Sequence, residues 1–155
     1  MSKDDIGERG QAMFFVMLTE LCGRSEPYFR PRFLGDKFPT FDYLLELVDY
    51  PGFFFFVQVK TTKKGFTQKL RKLRIQVSQK DVDRMVAWQV PSYVVGIDEP
   101  SQAGYLLSVN EPRQRVASLD SRFRIDCTVL AQLAAEVQQF WSSRDMVLTN
   151  SKFKG

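Results

Sequence analysis

Three polar side chains with the chemistry of a metal site lie on two neighbouring predicted strands. Asp42 opens the first strand, and Gln58 and Lys60 close the second. Residues i and i+2 of a strand point to the same face, so Gln58 and Lys60 should project side by side. The Tyr-Pro-Gly sequence at residues 50–52 predicts a turn that brings Asp42 roughly opposite Lys60. Carboxylate and amide oxygens suit Mg²⁺, and a neighbouring Lys can orient or activate a water. The trio therefore outlines a metal-dependent phosphodiesterase site.

The strand that carries Gln58 and Lys60 is otherwise apolar on both faces, which is typical of a central, covered strand. Burying an amide and an ammonium at the end of such a strand costs several kcal/mol unless the groups are paired. A structural interpretation therefore competes with the metal site: the strand end frays, and the Lys60 ammonium reaches water. The local pattern leaves both interpretations open.

Together with an upstream helix, these residues resemble the PD-(D/E)XK nuclease superfamily. The helix carries Gly-Glu-Arg-Gly-Gln at residues 7–11, and the strand with Asp42 and the strand with Gln58-Val59-Lys60 follow it in order. The chain looks most like the Mrr-like branch, in which Gln replaces the acidic residue of the third motif. The resemblance covers roughly residues 4–110. Residues 77–107 also resemble a small bacterial endonuclease-like family of unassigned function. The resemblance implies a restriction-endonuclease-like fold.

The resemblance also implies a role for each residue of the site. Asp42 would be the central metal ligand, and Gln58 would offer its side-chain oxygen to the same ion beside the backbone carbonyl of Val59. Lys60 would position the attacking water and stabilise charge on the phosphorus oxygens. Glu8 would reach in from the first helix, as a ligand for a second ion or through a metal-bound water. An exposed Glu that favours the helix dipole is the alternative for Glu8. The implied cofactor is Mg²⁺ or Mn²⁺.

Positive charge is concentrated directly after the proposed catalytic strand. The whole chain has a formal net charge of +4, but residues 50–80 contain eight basic residues and no acidic residue. A field of this sign attracts phosphate backbones. We therefore predict that nucleic acid contacts the basic residues that follow Lys60, which are Lys63, Lys64, Lys69, Arg71, Lys72 and Arg74. The alternative is a solvated hairpin whose charges keep the protein in solution.

The absence of one residue type and the scarcity of another exclude several kinds of site. The chain has no His, which excludes Ser-His and Cys-His catalysis and nucleases built on a His base. Its two Cys residues, Cys22 and Cys127, are too few for a zinc cluster. We expect two buried, reduced thiols, with Cys22 on the apolar face of the first helix and Cys127 opening the last helix.

The 155-residue length favours a single α/β domain over residues 1–155, with a mixed central sheet flanked by helices and a frayed tail from about residue 150. We predict helices at about 6–23, capped by Asp4 or Asp5, at 79–89 and at 128–143. The predicted strands are an edge strand at 28–34, a core hairpin at 40–49 and 53–62, and further strands at 71–77, 91–97 and 104–109. The start lacks the apolar region of a signal peptide, and no apolar run approaches the roughly 20 residues of a membrane span, so we expect a cytoplasmic protein.

The favoured function is metal-dependent phosphodiester hydrolysis of nucleic acid, with DNA as the first candidate substrate, in phage defence or repair. A different class of function stays open because a neutral Gln58 binds metal more weakly than a carboxylate. The chain would then be a non-catalytic nucleic-acid-binding or protein-interaction module on a degenerate nuclease scaffold. Cutting both strands generally needs two sites, so a homodimer is an expectation. A protein partner in a defence or repair system is another.

Overall fold

The computed structural model describes residues 2–144, 147 and 149–154. In this part of the chain it is α/β, with three helices and five strands. Their order is α1 (Lys3–Leu18), β1 (Phe29–Phe33), β2 (Tyr43–Leu47), β3 (Phe54–Thr62), α2 (Gln79–Ala87), β4 (Ser92–Asp98), β5 (Ala103–Ser108) and α3 (Cys127–Ser142). The predicted class, a mixed sheet flanked by helices, is confirmed. None of the helices in the described ranges is long and apolar enough to cross a membrane. Of the predicted frayed tail, residues 150–154 belong to no helix or strand, and residue 155 lies outside the described residues.

The five strands form one sheet in the order β1-β2-β3-β4-β5. The strand β2 is antiparallel to both β1 and β3, and α2 connects β3 to β4, which is parallel to β3. The last strand, β5, is antiparallel to β4. The nine-residue β3 is therefore central and paired along both edges, as its apolar sequence predicts. The predicted edge position of β1 is also confirmed, which explains why Pro31 is tolerated there.

The side chains of β3 alternate between two apolar cores on the two faces of the sheet. Phe55 and Val57 point to the face that α1 and α3 cover, with Phe14 and Val137 in the same core. Phe56 points to the opposite face, in a core formed by α2 and the segments 73–77 and 116–119. The molecule thus has three layers, and the residues of β3 with even numbers face α2. Gln58 and Lys60 share that parity.

The first helix differs from its prediction at both ends. It begins at Lys3 and is capped by Ser2, whose hydroxyl accepts a hydrogen bond from the Asp5 N–H while the Asp5 carboxylate accepts one from the Ser2 N–H. Asp5 is thus the third helical residue of a capping box and not the cap. The helix ends at Leu18, well before the predicted end at residue 23, so Cys22 lies in the loop that follows.

The predicted strand at 71–77 is wrong, although its pattern of burial is right. Leu73, Ile75 and Val77 are buried, as the alternation indicates. The segment nevertheless makes only isolated bridges among the described residues, from Leu73 to Phe66 and Leu119 and from Val77 to Val116. Its neighbour is an irregular segment that provides no continuous ladder of partners, so the alternating residues pack on the core without forming a sheet strand.

The prediction of two buried, reduced thiols is also wrong. Cys22 and Cys127 form a disulfide, with their Cα atoms 5.6 Å apart and a separation of 105 positions in sequence. The half-buried Cys22 follows α1 and the exposed Cys127 opens α3. Because α1 and α3 cover the same face of the sheet, the end of one and the start of the other come together.

Candidate functional site

Asp42 lies one residue before β2 and is held against β3 by two hydrogen bonds. Its N–H donates to the Val57 carbonyl at 2.9 Å, and its Oδ2 accepts from the Val59 N–H at 2.7 Å. The ladder ends with Tyr43 opposite Val57, and the Asp42 N–H bonds the carbonyl of the same Val57, so Asp42 does not lie opposite Lys60. The predicted register is therefore wrong. The charges of Lys60 and Asp81 both act on the Asp42 carboxyl, so this carboxyl lies near both groups.

Gln58 is buried, with 5% of its surface exposed, and its amide is oriented by two acceptors. The Nε2 group donates to the Thr40 carbonyl at 3.0 Å and to Oδ2 of Asp81 at 3.2 Å. The amide oxygen Oε1 is buried and has no hydrogen-bond partner in the described part of the chain. An unsatisfied buried acceptor costs about 1–3 kcal/mol, so Oε1 is an electron-pair donor available to a cation or an N–H.

Asp81 belongs to this cluster, although it was not predicted to. It is the third residue of α2, and its N–H donates to Oγ of the capping residue Ser78 at 3.2 Å. Its Oδ1 accepts from the Thr40 hydroxyl at 2.7 Å while Oδ2 accepts from Gln58. The sequence identifies Ser78 as a helix cap and so places Asp81 in the first turn. Only the tertiary structure shows that this turn meets β3.

Thr40 connects these groups from an unusual backbone conformation. Its φ is +70°, in the left-handed region that a β-branched residue rarely adopts. The carbonyl of Thr40 accepts from Gln58, and its hydroxyl donates to Asp81. These two hydrogen bonds help to hold a conformation that costs of order 1–3 kcal/mol. The strain therefore lies at the same place as the cluster of polar groups.

The two carboxyl groups of the cluster have opposite pKa shifts. Burial raises the pKa of Asp42 above its ordinary value, and the opposing effects of the Val59 N–H and the Lys60 ammonium do not cancel it. Burial also acts to raise the pKa of Asp81, but the hydrogen bonds from Thr40 and Gln58 and the charge of Lys60 outweigh it and lower that pKa. Half-buried Lys60 thus acts on both carboxylates, which places its ammonium beside the cluster.

The remaining predicted ligands have different surroundings. The backbone groups of alternate strand residues point to the same neighbouring strand, so the Val59 carbonyl lies on the β2 edge, the edge that Asp42 occupies. Glu8 is exposed on α1, and α1 packs on the sheet face opposite to Gln58. Glu8 makes no hydrogen bond or ion pair with the residues that the structure describes. The structure therefore brings Asp42, Gln58, Val59 and Lys60 together but does not bring Glu8 to them.

A cationic cavity of about 460 Å³ opens beside the cluster. Lys60, Lys64 and Arg74 line it together with hydroxyl groups such as that of Ser118, and no lining residue is acidic. None of the three cations forms an ion pair with a described residue. Such a cavity suits a phosphate group. A larger cavity of about 620 Å³, lined by residues of α2 and α3, shares no residue with the cluster.

The other basic residues predicted to contact nucleic acid do not line this cavity. Lys63, Lys69 and Arg71 are exposed, and Lys63 borders a separate cavity with Lys60. Lys72 is half-buried and acts electrostatically on the Asp120 carboxylate. Of the six basic residues predicted to contact nucleic acid, Lys64 and Arg74 thus line the cavity and the other four do not.

The cluster offers oxygen ligands of the kind that Mg²⁺ and Mn²⁺ prefer. A bound ion would use the Asp42 carboxylate, Oε1 of Gln58 and the Val59 carbonyl. The buried, unpartnered Oε1 is the observation that fits such an ion. Over the described ranges, no group of three His, Cys, Asp or Glu residues could hold a metal, so a bound ion would depend on the amide and the carbonyl.

Comparisons of the chain with models of protein families, with curated proteins and with solved structures found no match.

Proposed function

We propose that the protein is a metal-dependent phosphodiesterase that cleaves nucleic acid, with DNA as the first candidate substrate. The observation that carries the proposal is the buried, unpartnered Oε1 of Gln58, in a cluster with Asp42 and with Lys60, which also lines a cationic cavity. An oxygen acceptor, a carboxylate and an ammonium beside a phosphate-sized space are the parts that phosphodiester hydrolysis needs.

The order of the elements supports a restriction-endonuclease-like scaffold for this activity. A helix is followed by an antiparallel hairpin with Asp42 at its entrance, then by the Gln58-Val59-Lys60 strand, a helix and a parallel strand. This is the order of motifs that the resemblance to the PD-(D/E)XK superfamily implies. A cytoplasmic location, a homodimer that cuts both strands and a role in phage defence or repair belong to the same proposal.

Each residue of the cluster has a separate task in this mechanism. Asp42, Gln58 Oε1 and the Val59 carbonyl would hold Mg²⁺ or Mn²⁺, which supplies Lewis-acid polarisation and a more acidic bound water. The Lys60 ammonium orients the attacking water and stabilises the charge that develops on the phosphorus oxygens. Lys64 and Arg74 bind a neighbouring phosphate in the cationic cavity, which fixes the position of the nucleic acid.

The test is cleavage of supercoiled plasmid, and of an RNA of similar length, in Mg²⁺ or Mn²⁺. We expect Asp42→Ala to lose both Mn²⁺ binding and detectable cleavage. Lys60→Ala should keep Mn²⁺ binding and lose cleavage by about 100- to 1000-fold, because its role is on the water and the phosphate. Asp83→Ala and Lys152→Ala, which remove exposed charges of the same types, serve as matched controls. If the wild-type protein cuts neither substrate with either ion, the enzyme proposal fails.

A non-catalytic nucleic-acid-binding module is the second candidate, and two observations favour it. The cationic cavity needs no metal to attract phosphate, and the described residues contain no group of three acidic or similar ligands. Such a module would bind DNA equally well in EDTA and in Mg²⁺ and would lose affinity steeply with salt. The nuclease would instead show cleavage that EDTA abolishes.

A further inference from the structure

The orientation of the Gln58 amide decides whether the site presents an oxygen or an N–H group. The oxygen and nitrogen of a Gln amide can exchange places by a half-turn, so the hydrogen bonds around them set the orientation. Here both Nε2 hydrogens have acceptors, the Thr40 carbonyl and the Asp81 carboxylate. An ionised carboxylate accepts hydrogen bonds and donates none, so Asp81 cannot pair with Oε1.

We propose that Asp81 is a positioning residue that fixes the Gln58 amide so that Oε1 faces the site. This inference rests on the proposed function, in which Oε1 is a metal ligand. The Thr40 hydroxyl donates to one oxygen of Asp81, which leaves the other oxygen for Gln58. The negative charge that a carboxylate would bring at position 58 is thus supplied from α2, one residue away from the ion.

The arrangement predicts what two single substitutions do. In Asp81→Asn, the Thr40 hydroxyl either donates to the new amide oxygen or accepts from its NH₂ group, because a hydroxyl does both. In the first case two NH₂ groups oppose each other, and the Gln58 amide turns over. In the second case Nε2 of Gln58 keeps only a neutral acceptor, whose hydrogen bond is about half as strong as one to a carboxylate, so the amide is held less firmly. In Gln58→Glu, two carboxylates and the Thr40 carbonyl oppose one another. The double substitution Gln58→Glu with Asp81→Asn restores a donor facing an acceptor at position 81 and keeps an oxygen in the site, but it leaves the Thr40 carbonyl facing a carboxylate oxygen.

The first measurement follows the side-chain NH₂ signals of Gln58 by NMR in ¹⁵N-labelled protein without metal. The signals are assigned by their loss in Gln58→Leu. We expect Asp81→Asn to move both signals and to speed up their exchange with water. Asp83→Asn, which removes a charge two residues along the same helix from an exposed side chain, should leave them in place. Unchanged Gln58 signals in Asp81→Asn overturn the inference, whether or not the protein binds metal.

The second measurement is Mn²⁺ affinity, from the EPR signal of free Mn²⁺, with folding checked by circular dichroism. Loss of a partner that orients a metal ligand typically weakens binding by about 10- to 100-fold, and we expect that loss in Asp81→Asn and not in Asp83→Asn. The double substitution should recover part of the affinity that Asp81→Asn loses. Equal affinity in wild type and Asp81→Asn contradicts the inference but leaves the proposed function standing. Absence of Mn²⁺ binding in wild type, with Gln58 signals that do respond to Asp81→Asn, leaves the positioning role standing and refutes the metal-dependent function.

Discussion

At the scale of single residues, two carboxylates within one cluster differ because they have different hydrogen-bond donors. Asp42 loses solvent and gains one backbone N–H, so its pKa rises. Burial also acts to raise the pKa of Asp81, but the side-chain donors of Thr40 and Gln58 and the charge of Lys60 outweigh it, so the pKa of Asp81 falls. Shifted pKa values in neighbouring groups are frequent at functional sites, because burial and nearby charges are arranged there to suit the chemistry.

The raised pKa of Asp42 predicts that this residue opposes folding at neutral pH when no metal is bound. Folding favours its protonated form, so its contribution to stability is complete below the ordinary pKa of 3.8 and is lost as the pH rises through the raised value. Asp42→Asn should therefore increase the free energy of unfolding at pH 7 and have little effect at pH 3. Urea unfolding in EDTA at both pH values measures this difference.

Asp81 provides the opposite case within the same experiment. Its pKa is lowered, so its contribution is present above pH 3.8 and is lost as the pH falls through the lowered value. Asp81→Asn should reduce the free energy of unfolding at pH 7, by about 1–3 kcal/mol for hydrogen bonds to a charged group. If Asp42→Asn and Asp81→Asn change the free energy of unfolding at pH 7 in the same direction, the explanation of the two pKa shifts by burial and hydrogen bonding is wrong.

At the scale of elements, β3 connects the cluster to the basic segment. The strand presents Gln58 and Lys60 on the face towards α2, and the chain then continues into the loop that carries Lys64. The bridge between Phe66 and Leu73 closes this loop and brings Arg74 back to the cavity. The cavity cations are therefore placed by backbone pairing and not by their position in sequence.

This placement divides the basic residues into two groups with different expected effects. Lys64→Ala with Arg74→Ala should weaken DNA binding at all sequences and lower the slope of log affinity against log salt by about 2, close to 0.9 for each phosphate contact. Lys152→Ala with Lys154→Ala removes the same charge from the exposed tail and should have a small effect. Fluorescence anisotropy of a labelled duplex at several salt concentrations measures both slopes. Equal slopes for the two pairs would show that DNA is bound outside the cavity.

At the scale of the whole molecule, the five strands of the sheet and the helices α2 and α3 were predictable from the periodicity of their apolar residues. The run of Phe before Gln58 predicts the central strand, and strand parity predicts that Asp42, Gln58 and Lys60 share a face. The role of Asp81 was not predictable, because it depends on where the first turn of α2 packs. The unpartnered state of Gln58 Oε1 likewise depends on tertiary contacts.

The disulfide was missed for a related reason. Two Cys residues 105 positions apart give no local signal of pairing, and helix periodicity alone placed Cys22 on α1. Disulfides are rare in reducing compartments, so the bond and the predicted cytoplasmic location imply different redox surroundings. Alkylation of free thiols in freshly lysed cells, followed by mass spectrometry, would show which state the protein has there.

The bond between Cys22 and Cys127 closes a loop of chain that contains the whole sheet, because all five strands lie between these residues. Loss of a disulfide that closes a loop of this size typically costs about 2–5 kcal/mol, mainly because the unfolded chain gains freedom. We therefore expect a reductant to lower the free energy of unfolding of the wild-type protein by an amount in that range, which lowers the urea midpoint. Cys22→Ser with Cys127→Ser should show the lower midpoint without reductant and no further change when it is added.

Since the cluster around Asp42 lies on the other face of the sheet, Mn²⁺ affinity of the folded reduced protein should match that of the oxidised form. A reduced protein that keeps its stability but loses Mn²⁺ would instead show that the disulfide acts on the site and not on the unfolded chain.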